Sequence, residues 1–327
     1  GGYSNLEYEL ASGERGSRYR HVEQLITELT GAEGALVVNN NAAAVMLVLS
    51  TIASEKEVII SRGQLVEIGG SFRIPDVMAQ SGAKLVEVGT TNRTHLRDYR
   101  GAINEATGML LRVHASNFQI TGFTAEVSAR ELSQLGQEHD VPVYEDQGSG
   151  TLVRLAGMPQ AESTVQEAVA AGVDIVSFSG DKMLGGAQAG IIVGKKAYID
   201  RMKRHPLLRA FRIDKLSLAA LEATLRLYKQ GDAGREKIPF IRMFTASREV
   251  LDARAQQLAG ELAVLHSGAR VAVVEVAGQA GGGSLPGEEF PSVAVGLVVP
   301  GVGLQEAAAL LRQAEIPVIC RVSDDLL

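Results

Sequence analysis

The chain has 327 residues, 46% of them hydrophobic, and a formal net charge of −6 at pH 7. This size allows a large buried core in a major and a minor domain, while the negative charge excludes a protein that is basic throughout. The single cysteine, Cys320, excludes an internal disulfide and fits a reducing cytoplasm, and no membrane-spanning stretch or secretory leader is predicted.

The apolar pattern alternates between strand-length runs and helical periodicity along the first part of the chain. Apolar runs predict strands over Gly34–Asn40, Glu57–Ser61, Lys84–Val88, Met109–His114, Val141–Tyr144, Asp174–Phe178 and Ile191–Gly194. Helical spacing predicts helices over Arg20–Thr30, Asn41–Ala53, Ser128–Glu138 and Thr164–Ala171. The alternation predicts an α/β class with a mostly parallel sheet.

A long helical zone follows, and the domain change is predicted within it. Helices over Leu216–Gln230 and Ile241–Leu265 are interrupted at Ala233–Lys237 and Pro239. We therefore expect a large cofactor-binding domain over residues 1–232 and a small α+β C-terminal domain over residues 233–327. The small domain is predicted to contain strands Ala269–Val276, Ser292–Val299 and Ile316–Val322, the helix Leu304–Ala314 and a flexible loop Gly278–Gly283. Cys320 is expected in the core of its last strand, without a catalytic role.

The first candidate site residues follow the first predicted strand. Asn39, Asn40 and Asn41 lie between that strand and the helix Asn41–Ala53. Free backbone N–H groups at a helix N-terminus favour a phosphate. Asparagine is also an effective helix cap with or without a ligand, so this motif alone leaves both interpretations open.

An acidic residue ends a later strand. Asp146 follows the run Val141–Tyr144 and precedes a glycine turn. Ligands of open α/β sheets bind beyond the carboxyl ends of the strands, so Asp146 is expected at such a crevice. A turn or cap role is the alternative for an aspartate before glycine.

A lysine occupies the end of the next predicted strand. Lys182 follows Ser179 and Gly180 and precedes Gly185 and Gly186. Small residues let a ligand approach the backbone, and a lysine there can form a Schiff base with pyridoxal phosphate, whose pyridinium nitrogen Asp146 would pair with. A surface lysine is the competing interpretation of this segment. The six histidines show no metal-ligand spacing, so no metal site is predicted.

The sequence also resembles a known family. The resemblance is carried by the segments Gly2–Leu10, Gly16–Tyr19, Val37–Ala44, Ser61–Asp76, Ser179–Gly190 and His205–Lys215. They are similar to bacterial selenocysteine synthases, the L-seryl-tRNA(Sec) selenium transferases, which are fold-type I pyridoxal-phosphate enzymes. The similarity extends along essentially the whole chain.

The resemblance implies a role for each matched residue. Lys182 would bind the cofactor aldehyde and Asp146 the pyridine nitrogen; Arg209 and Arg212 would lie near the anionic group of the selenium donor. The remaining cofactor-binding residues would be Asn40, Asn41 and Ala42 at the phosphate, Gln64 at the ring, and Ser179. Arg209 and Arg212 are three residues apart, so on a helix both guanidinium groups would face one way and form a fork for an oxyanion.

The resemblance also implies the reaction and the partners. The seryl amine of seryl-tRNA(Sec) would displace Lys182 from the cofactor, and Lys182 would remove the α-proton. The β-hydroxyl would leave, and selenium from selenophosphate would add at the β-carbon. The family's assembly implies a homo-oligomer, a dimer or ring of dimers, with Thr90, Thr91 and Phe118 in the dimer–dimer contact regions.

Two features leave alternatives open. The net charge of −6 is unusual for a tRNA-binding protein, and the family's N-terminal domain has no counterpart in the printed sequence. The local basic cluster Arg15, Arg18, Tyr19 and Arg20 either contacts nucleic acid or forms a solvated or subunit-contacting face. A related pyridoxal-phosphate lyase for a small amino acid or amino sugar, and a non-catalytic relative with the same fold, remain alternatives.

Overall fold

The computed structural model describes residues 4–70, 72–159, 162–265, 268–323 and 326–327. Gly2, Tyr3 and Ser71 of the family-like segments lie outside these ranges. The strands are β1 (Tyr8–Glu9), β2 (Glu14–Arg15), β3 (Gly34–Val38), β4 (Glu57–Ser61), β5 (Glu67–Ile68), β6 (Phe72–Arg73), β7 (Lys84–Val88), β8 (Thr107–Val113), β9 (Val143–Gly148), β10 (Ile175–Ser179), β11 (Gly190–Gly194), β12 (Arg270–Gly278) and β13 (Phe290–Val298).

The helices connect and cover these strands, and a short 3-10 helix, Arg62–Gln64, follows β4. They are α1 (Arg20–Thr30), α2 (Asn41–Ile52), α3 (Ile74–Gln80), α4 (Leu96–Ala102), α5 (Ala129–His139), α6 (Val165–Ala170), α7 (Lys196–Lys203), α8 (Leu207–Ala210), α9 (Lys215–Lys229), α10 (Asp232–Arg235), α11 (Pro239–Phe244), α12 (Arg248–Leu265) and α13 (Leu304–Arg312).

A seven-stranded sheet in the order β3-β11-β10-β9-β8-β4-β7 forms the centre of the larger unit. The neighbours from β10 to β7 pair in parallel, and β11 alone among the strands of this sheet runs antiparallel to both of its partners, β10 and β3. The predicted α/β class with a mostly parallel sheet is therefore confirmed. Strands β3, β10 and β11 are buried at every position, as expected for strands covered on both faces.

The helices that pack on this sheet have the patterns that such burial requires. In α1 the buried apolar residues Val22, Leu25 and Ile26 share one face, as in an amphipathic surface helix. In α2 most residues are apolar and buried, because this helix belongs to the hydrophobic core beneath the sheet. The helices α3 and α4 are too short for the periodicity signal, so the sequence pattern does not predict them.

Contacts divide the chain into two compact units. The first extends to Phe244 and includes the separate segment Gly281–Gly287; the second comprises Thr245–Ala280 and the chain from Glu288 onwards. The helices α10 and α11 thus belong to the first unit. The sequence-based boundary between residues 232 and 233 stays a prediction.

The second unit contains α12, the antiparallel pair β12–β13 and α13, which agrees with the predicted α+β character. The strand predicted over Ile316–Val322 is wrong: the segment has no strand pairing, and Ile316 and Ile319 are 81% and 77% exposed. A β-branched apolar run favours a strand only if a neighbouring strand can pair with it. Cys320 is half-buried, so its predicted place in a core strand is also wrong.

Candidate active site

Several predicted site residues lie at one edge of the large sheet. The strands β3, β4, β8, β9 and β10 all point the same way, so their carboxyl ends meet at that edge. At these ends Asn40 and Asn41 follow β3, Gln64 follows β4 and His114 follows β8. Asp146 lies near the end of β9, Ser179 is the last residue of β10, and Lys182 lies in the loop after β10.

Asp146 is a buried acidic group at this edge, with 2% of its surface exposed. Its Oδ1 accepts three hydrogen bonds, from Asn41 Nδ2 at 2.8 Å, from the Gly148 N–H at 3.0 Å and from Ser177 Oγ at 3.3 Å. Burial raises the pKa of Asp146, and these hydrogen bonds together with the charge of Lys182 oppose that rise. Among the described residues no donor bonds Oδ2, so this oxygen is left for one further donor.

A buried hydroxyl pair supports Asp146 from β9 and β10. Tyr144 Oη and Ser177 Oγ lie 2.7 Å apart, and Ser177 Oγ donates to Asp146. Burial raises the pKa of Tyr144 well above its ordinary value, and the charge of Asp146 adds to that rise, so the phenol stays neutral. The carboxylate is thus held by neutral donors and not by an adjacent guanidinium.

The N-terminus of α2 forms a cradle of unpaired polar groups. Asn40 caps the helix, its Oδ1 accepting from the Ala43 N–H at 2.8 Å. The N–H groups of Asn41 and Ala42 and the buried Oδ1 of Asn41 have no hydrogen-bond partner within the part of the chain that is described. Such N–H groups fit a phosphate.

Gly190 determines how closely β11 approaches this cradle. A β-carbon built on Gly190 would lie 2.1 Å from the Asn40 carbonyl oxygen and 2.9 Å from the Asn41 nitrogen. Any side chain there would collide with the backbone at the start of α2. The glycine of the family-like segment therefore has a steric role at the cradle.

Lys182 lies in a loop that closes on itself between β10 and β11. The Gly180 N–H donates to the Ala189 carbonyl at 2.8 Å, the Gly186 N–H to the Gly180 carbonyl at 2.8 Å and the Gly185 N–H to the Lys182 carbonyl at 2.9 Å. Tyr228 Oη of α9 donates to the Leu184 carbonyl at 2.9 Å. Lys182 is half-buried and lies close enough to Asp146 for its charge to lower the pKa of that carboxyl.

Gln64 and Ser179 are both buried at the same edge, at 7% and 6% exposure. Gln64 Oε1 accepts from the Val113 N–H at 3.0 Å and so fixes the end of β8. Ser179 ends β10 and pairs with Gly190 of β11. Their roles toward a cofactor stay predictions.

Arg209 and Arg212 line one cavity of about 310 Å³. The helix α8 ends at Ala210, so the expectation that both arginines share a helix is wrong. The backbone of Arg212 instead forms an isolated antiparallel β-bridge with Val38 at the end of β3. The Asn39 N–H donates to the Phe211 carbonyl at 2.9 Å. This backbone pairing joins the arginine cavity to the segment that precedes α2.

The same cavity contains Arg15, Arg18 and Tyr19, for which the sequence leaves open a nucleic-acid contact or a solvated or subunit-contacting face. Arg18 Nη2 lies 2.5 Å from Glu7 Oε1, and Arg18 Nη1 donates to the Ile213 carbonyl at 2.8 Å. The hydrogen bond from Arg18 is the largest factor that lowers the pKa of Glu7, with Arg212 and Arg15 contributing. The family-like segment Gly16–Tyr19 was the available signal for Arg18.

His114 lies at the same edge of the sheet and is absent from the residues that the sequence predicts for the site. Its backbone N–H donates to the backbone carbonyl of Asp146 at 2.9 Å, and its ring Nε2 lies 3.0 Å from Glu162 Oε2. Its place at the end of a predicted strand was the only signal.

The remaining predictions concern assembly, metals and membranes. Thr90 and Thr91 are exposed and Phe118 is half-buried, and their role in an oligomer stays a prediction. No group of three metal-ligating side chains occurs among the residues whose structure is described. No described helix combines the length and apolar character needed to cross a bilayer.

A family model described as L-seryl-tRNA selenium transferase matches residues 1–327. The L-seryl-tRNA(Sec) selenium transferase of Geobacter sulfurreducens is 58% identical over 324 residues, which cover 98% of this chain and 70% of that protein. The protein of the same name from Maridesulfovibrio salexigens is 57% identical over 327 residues, covering 99% and 70%.

Among solved structures, D-glucosaminate-6-phosphate ammonia-lyase matches with a TM-score of 0.65 and 22% identity, over 95% of this chain and 79% of that chain. At this level of identity the structural match shows the fold alone. The match confirms the predicted fold-type I architecture.

Proposed function

Because the chain belongs to the L-seryl-tRNA selenium transferase family, we propose that it converts seryl-tRNA(Sec) to selenocysteinyl-tRNA(Sec) with pyridoxal phosphate as cofactor and selenophosphate as selenium donor. The chemical part of this proposal depends on the burial and the hydrogen bonds of Asp146. It is buried, its three described hydrogen bonds all reach Oδ1, and Lys182 lies near it.

The residues at the sheet edge fit pyridoxal phosphate. The unpaired N–H groups of Asn41 and Ala42 would hold the phosphate, and Asp146 Oδ2 would accept a hydrogen bond from the protonated ring nitrogen. Lys182 Nζ would bond to the aldehyde, while Gln64 and Ser179 would line the ring. When bound, this cofactor withdraws electrons from the substrate α-carbon, so that the α-proton and then the β-hydroxyl can leave.

Lys182 and Asp146 divide the proton chemistry. Lys182 Nζ would lie beside the substrate α-carbon and would accept the α-proton. The carboxylate of Asp146 would hold a proton on the ring nitrogen. Its Oδ1 remains with Asn41, Gly148 and Ser177, so the carboxylate does not need to rotate.

The arginine cavity would orient the selenium donor. Selenophosphate is an anion, and a guanidinium presents several N–H donors in a fixed plane that matches phosphate oxygens. Arg209 and Arg212 would hold its phosphate end, with Arg18 and Arg15 adding positive charge in the same cavity. Glu7 already bonds to Arg18, so the donor would compete with this carboxylate.

The assembly and the location of the protein belong to the same proposal. We expect a homo-oligomer, a dimer or a ring of dimers, with contacts at Thr90, Thr91 and Phe118, working in the cytoplasm.

The first experiment tests the cofactor bond. Purified protein is mixed with pyridoxal phosphate, its visible spectrum is recorded before and after borohydride, and the reduced protein is mapped by peptide mass spectrometry. We expect a visible band that disappears on reduction and a stable tag on Lys182. Lys182→Ala should lose both, whereas Lys196→Ala, which removes an exposed lysine paired with Asp200, should keep both.

The second experiment tests the substrate. Formation of selenocysteinyl-tRNA(Sec) from seryl-tRNA(Sec) and selenophosphate supports the proposal. Turnover of free small amino acids or amino sugars in place of seryl-tRNA would favour the lyase alternative. No band, or a tag spread over surface lysines, would contradict both enzyme functions.

A further inference from the structure

The segment Gly281–Gly287, here called the glycine loop, lies in the first compact unit, although the strands on either side of it, β12 and β13, belong to the second. The sequence predicts only a flexible loop over Gly278–Gly283, which includes part of this segment. Within it Ser284 and Leu285 are 5% and 3% exposed. Burial of this kind is uncommon in a surface connection.

One glycine of the loop directly faces the proposed cofactor lysine. A β-carbon built on Gly283 would lie 3.0 Å from Lys182 Nζ and 3.4 Å from Lys182 Cε. The backbone of Gly283 also has φ +79°, a region that glycine adopts without steric cost. Only glycine therefore leaves the Lys182 amine where it is.

A second glycine of the loop also lies close to a neighbouring side chain, and the backbone between the two glycines is strained. Gly287 has φ +73°, and a β-carbon there would lie 2.7 Å from Gln119 Oε1. Between them, Leu285 has φ +48°, which is unfavourable for a bulky residue. Strained backbone that persists in a folded protein is typical of functional sites.

We propose that Gly283 is a positioning residue for Lys182, and that the glycine loop is the wall that sets where the amine rests. The chemical consequence rests on the proposed function, because it concerns the approach of Lys182 Nζ to the cofactor aldehyde. A methyl group at residue 283 would push the flexible end of Lys182 aside while leaving the backbone in place. Displacement of a reacting group by about 1 Å can slow its reaction by about a hundredfold.

The loop supplies its own matched controls. A β-carbon on Gly281 or on Gly282 would have nothing within 4 Å. Gly281 has φ +95°, so Gly281→Ala introduces the backbone strain of Gly283→Ala without the contact. Gly282→Ala introduces neither.

The experiment measures how fast Lys182 reacts in the cofactor-free protein. Each variant is exposed to pyridoxal phosphate for increasing times and reduced with borohydride, and the tag on Lys182 is quantified by peptide mass spectrometry against the exposed Lys196. We expect Gly283→Ala to react about tenfold to a hundredfold more slowly than Gly281→Ala. Both variants should have similar melting temperatures by circular dichroism, because both introduce the same kind of backbone strain. A merely structural role of Gly283 would instead lower the melting temperature without this difference in rate.

A second reagent separates the two proposals. Acetylation of Lys182 by acetic anhydride requires an accessible amine but no cofactor site. If the unsubstituted protein acquires no pyridoxal tag on Lys182, the proposed function fails, and the acetylation rates of Gly283→Ala and Gly281→Ala still test the positioning role. Equal rates for these two variants would overturn it.

Should Gly283→Ala fail to fold, Gly287→Ala replaces it. Its methyl group would meet Gln119 and displace the other end of the loop. We then expect the rate of Lys182 acetylation, relative to Lys196, to differ from that in Gly281→Ala. An unchanged rate in folded Gly287→Ala would contradict the role of the loop as a wall.

Discussion

Asp146 and Glu7 are both acidic residues of the first unit, and their surroundings differ in kind. Asp146 is 2% exposed and accepts hydrogen bonds from an amide, a backbone N–H and a hydroxyl. Glu7 has 28% of its side chain exposed and pairs with Arg18, Arg15 and Arg212. Burial raises the pKa of Asp146, whereas the hydrogen bond from Arg18 lowers the pKa of Glu7.

The difference teaches what each region is suited to bind. A buried carboxylate held by neutral donors lacks a cation in direct contact, so a protonated ring nitrogen at Oδ2 would supply the missing charge. The arginine cavity has the opposite excess, because several guanidinium groups share one carboxylate. An anionic donor would supply the negative charge that this cavity lacks.

The largest expected effect comes from removing the charge of Asp146. In Asp146→Asn the side-chain oxygen can keep the bonds at the Oδ1 position, but the amide that replaces Oδ2 donates and cannot accept from a ring nitrogen. We expect kcat to fall by about a hundredfold to a thousandfold, the scale for loss of one preorganised electrostatic interaction. Steady-state assays with seryl-tRNA(Sec) measure it.

Asp140→Asn is the matched control. Asp140 is exposed and ends α5 in a left-handed conformation with φ +55°, which asparagine also tolerates. Its kcat should stay within about twofold of the parent, since surface changes of this kind have small effects. Equal activity of the two variants would remove Asp146 from the mechanism.

The same carboxyl predicts how stability depends on pH in the cofactor-free protein. Because the pKa of Asp146 is higher in the folded than in the unfolded chain, its contribution to stability is complete below the ordinary aspartate pKa. It is lost as pH rises through the raised value. Asp146→Asn removes this loss, so its melting temperature relative to that of the parent should rise between acidic and neutral pH.

A smaller effect is expected from the arginine cavity. Arg212→Ala removes a cation from the cavity and should raise KM for selenophosphate by about tenfold to a hundredfold, from the energy of hydrogen bonds to charged groups. The change in kcat should be smaller, and Arg209→Ala should act in the same direction. Arg204→Ala, an exposed arginine outside this cavity, serves as the control. An unchanged KM in both cavity variants would favour the lyase alternative.

Much of the fold could be predicted because local pattern and tertiary environment agree. The helix Arg20–Thr30 and the strands Glu57–Ser61 and Lys84–Val88 have the bounds that periodicity predicts. The segment Ile316–Val322 shows the limit, because an apolar run of the right composition has no strand beside it. Pairing is a property of the whole unit, which a local window does not contain.

The site divides in a similar way. Strand order brings Asp146 and Lys182 to one edge, which the positions of the two residues at strand ends anticipated. The pattern did not contain the convergence of Asn41, Gly148 and Ser177 on a single oxygen. Nor did it contain the closeness of the Lys182 amine to the position that a β-carbon at residue 283 would occupy. These features depend on distances between segments that are far apart in sequence, and so require the folded chain.

The smallest expected effect has the opposite sign and concerns Glu7. Glu7→Gln removes the negative charge that competes for Arg18 and keeps the shape of the side chain. We expect KM for selenophosphate to fall about twofold to fivefold, the scale of one partly exposed ion pair.

The same substitution should reduce the stability of the protein at neutral pH, although it improves the binding of selenophosphate. Because the pKa of Glu7 is lowered by Arg18, its ion pairs stabilise the fold above the ordinary glutamate pKa and are lost as pH falls through the lowered value. Glu7→Gln should therefore lower the free energy of unfolding at neutral pH by less than about 1 kcal/mol, measured by urea titration, and should match the parent at strongly acidic pH. A higher KM in Glu7→Gln would mean that Glu7 orders the arginines for the donor. The contrast between Asp146, which lacks a cation in direct contact, and Glu7, which competes with an anion, would then not hold.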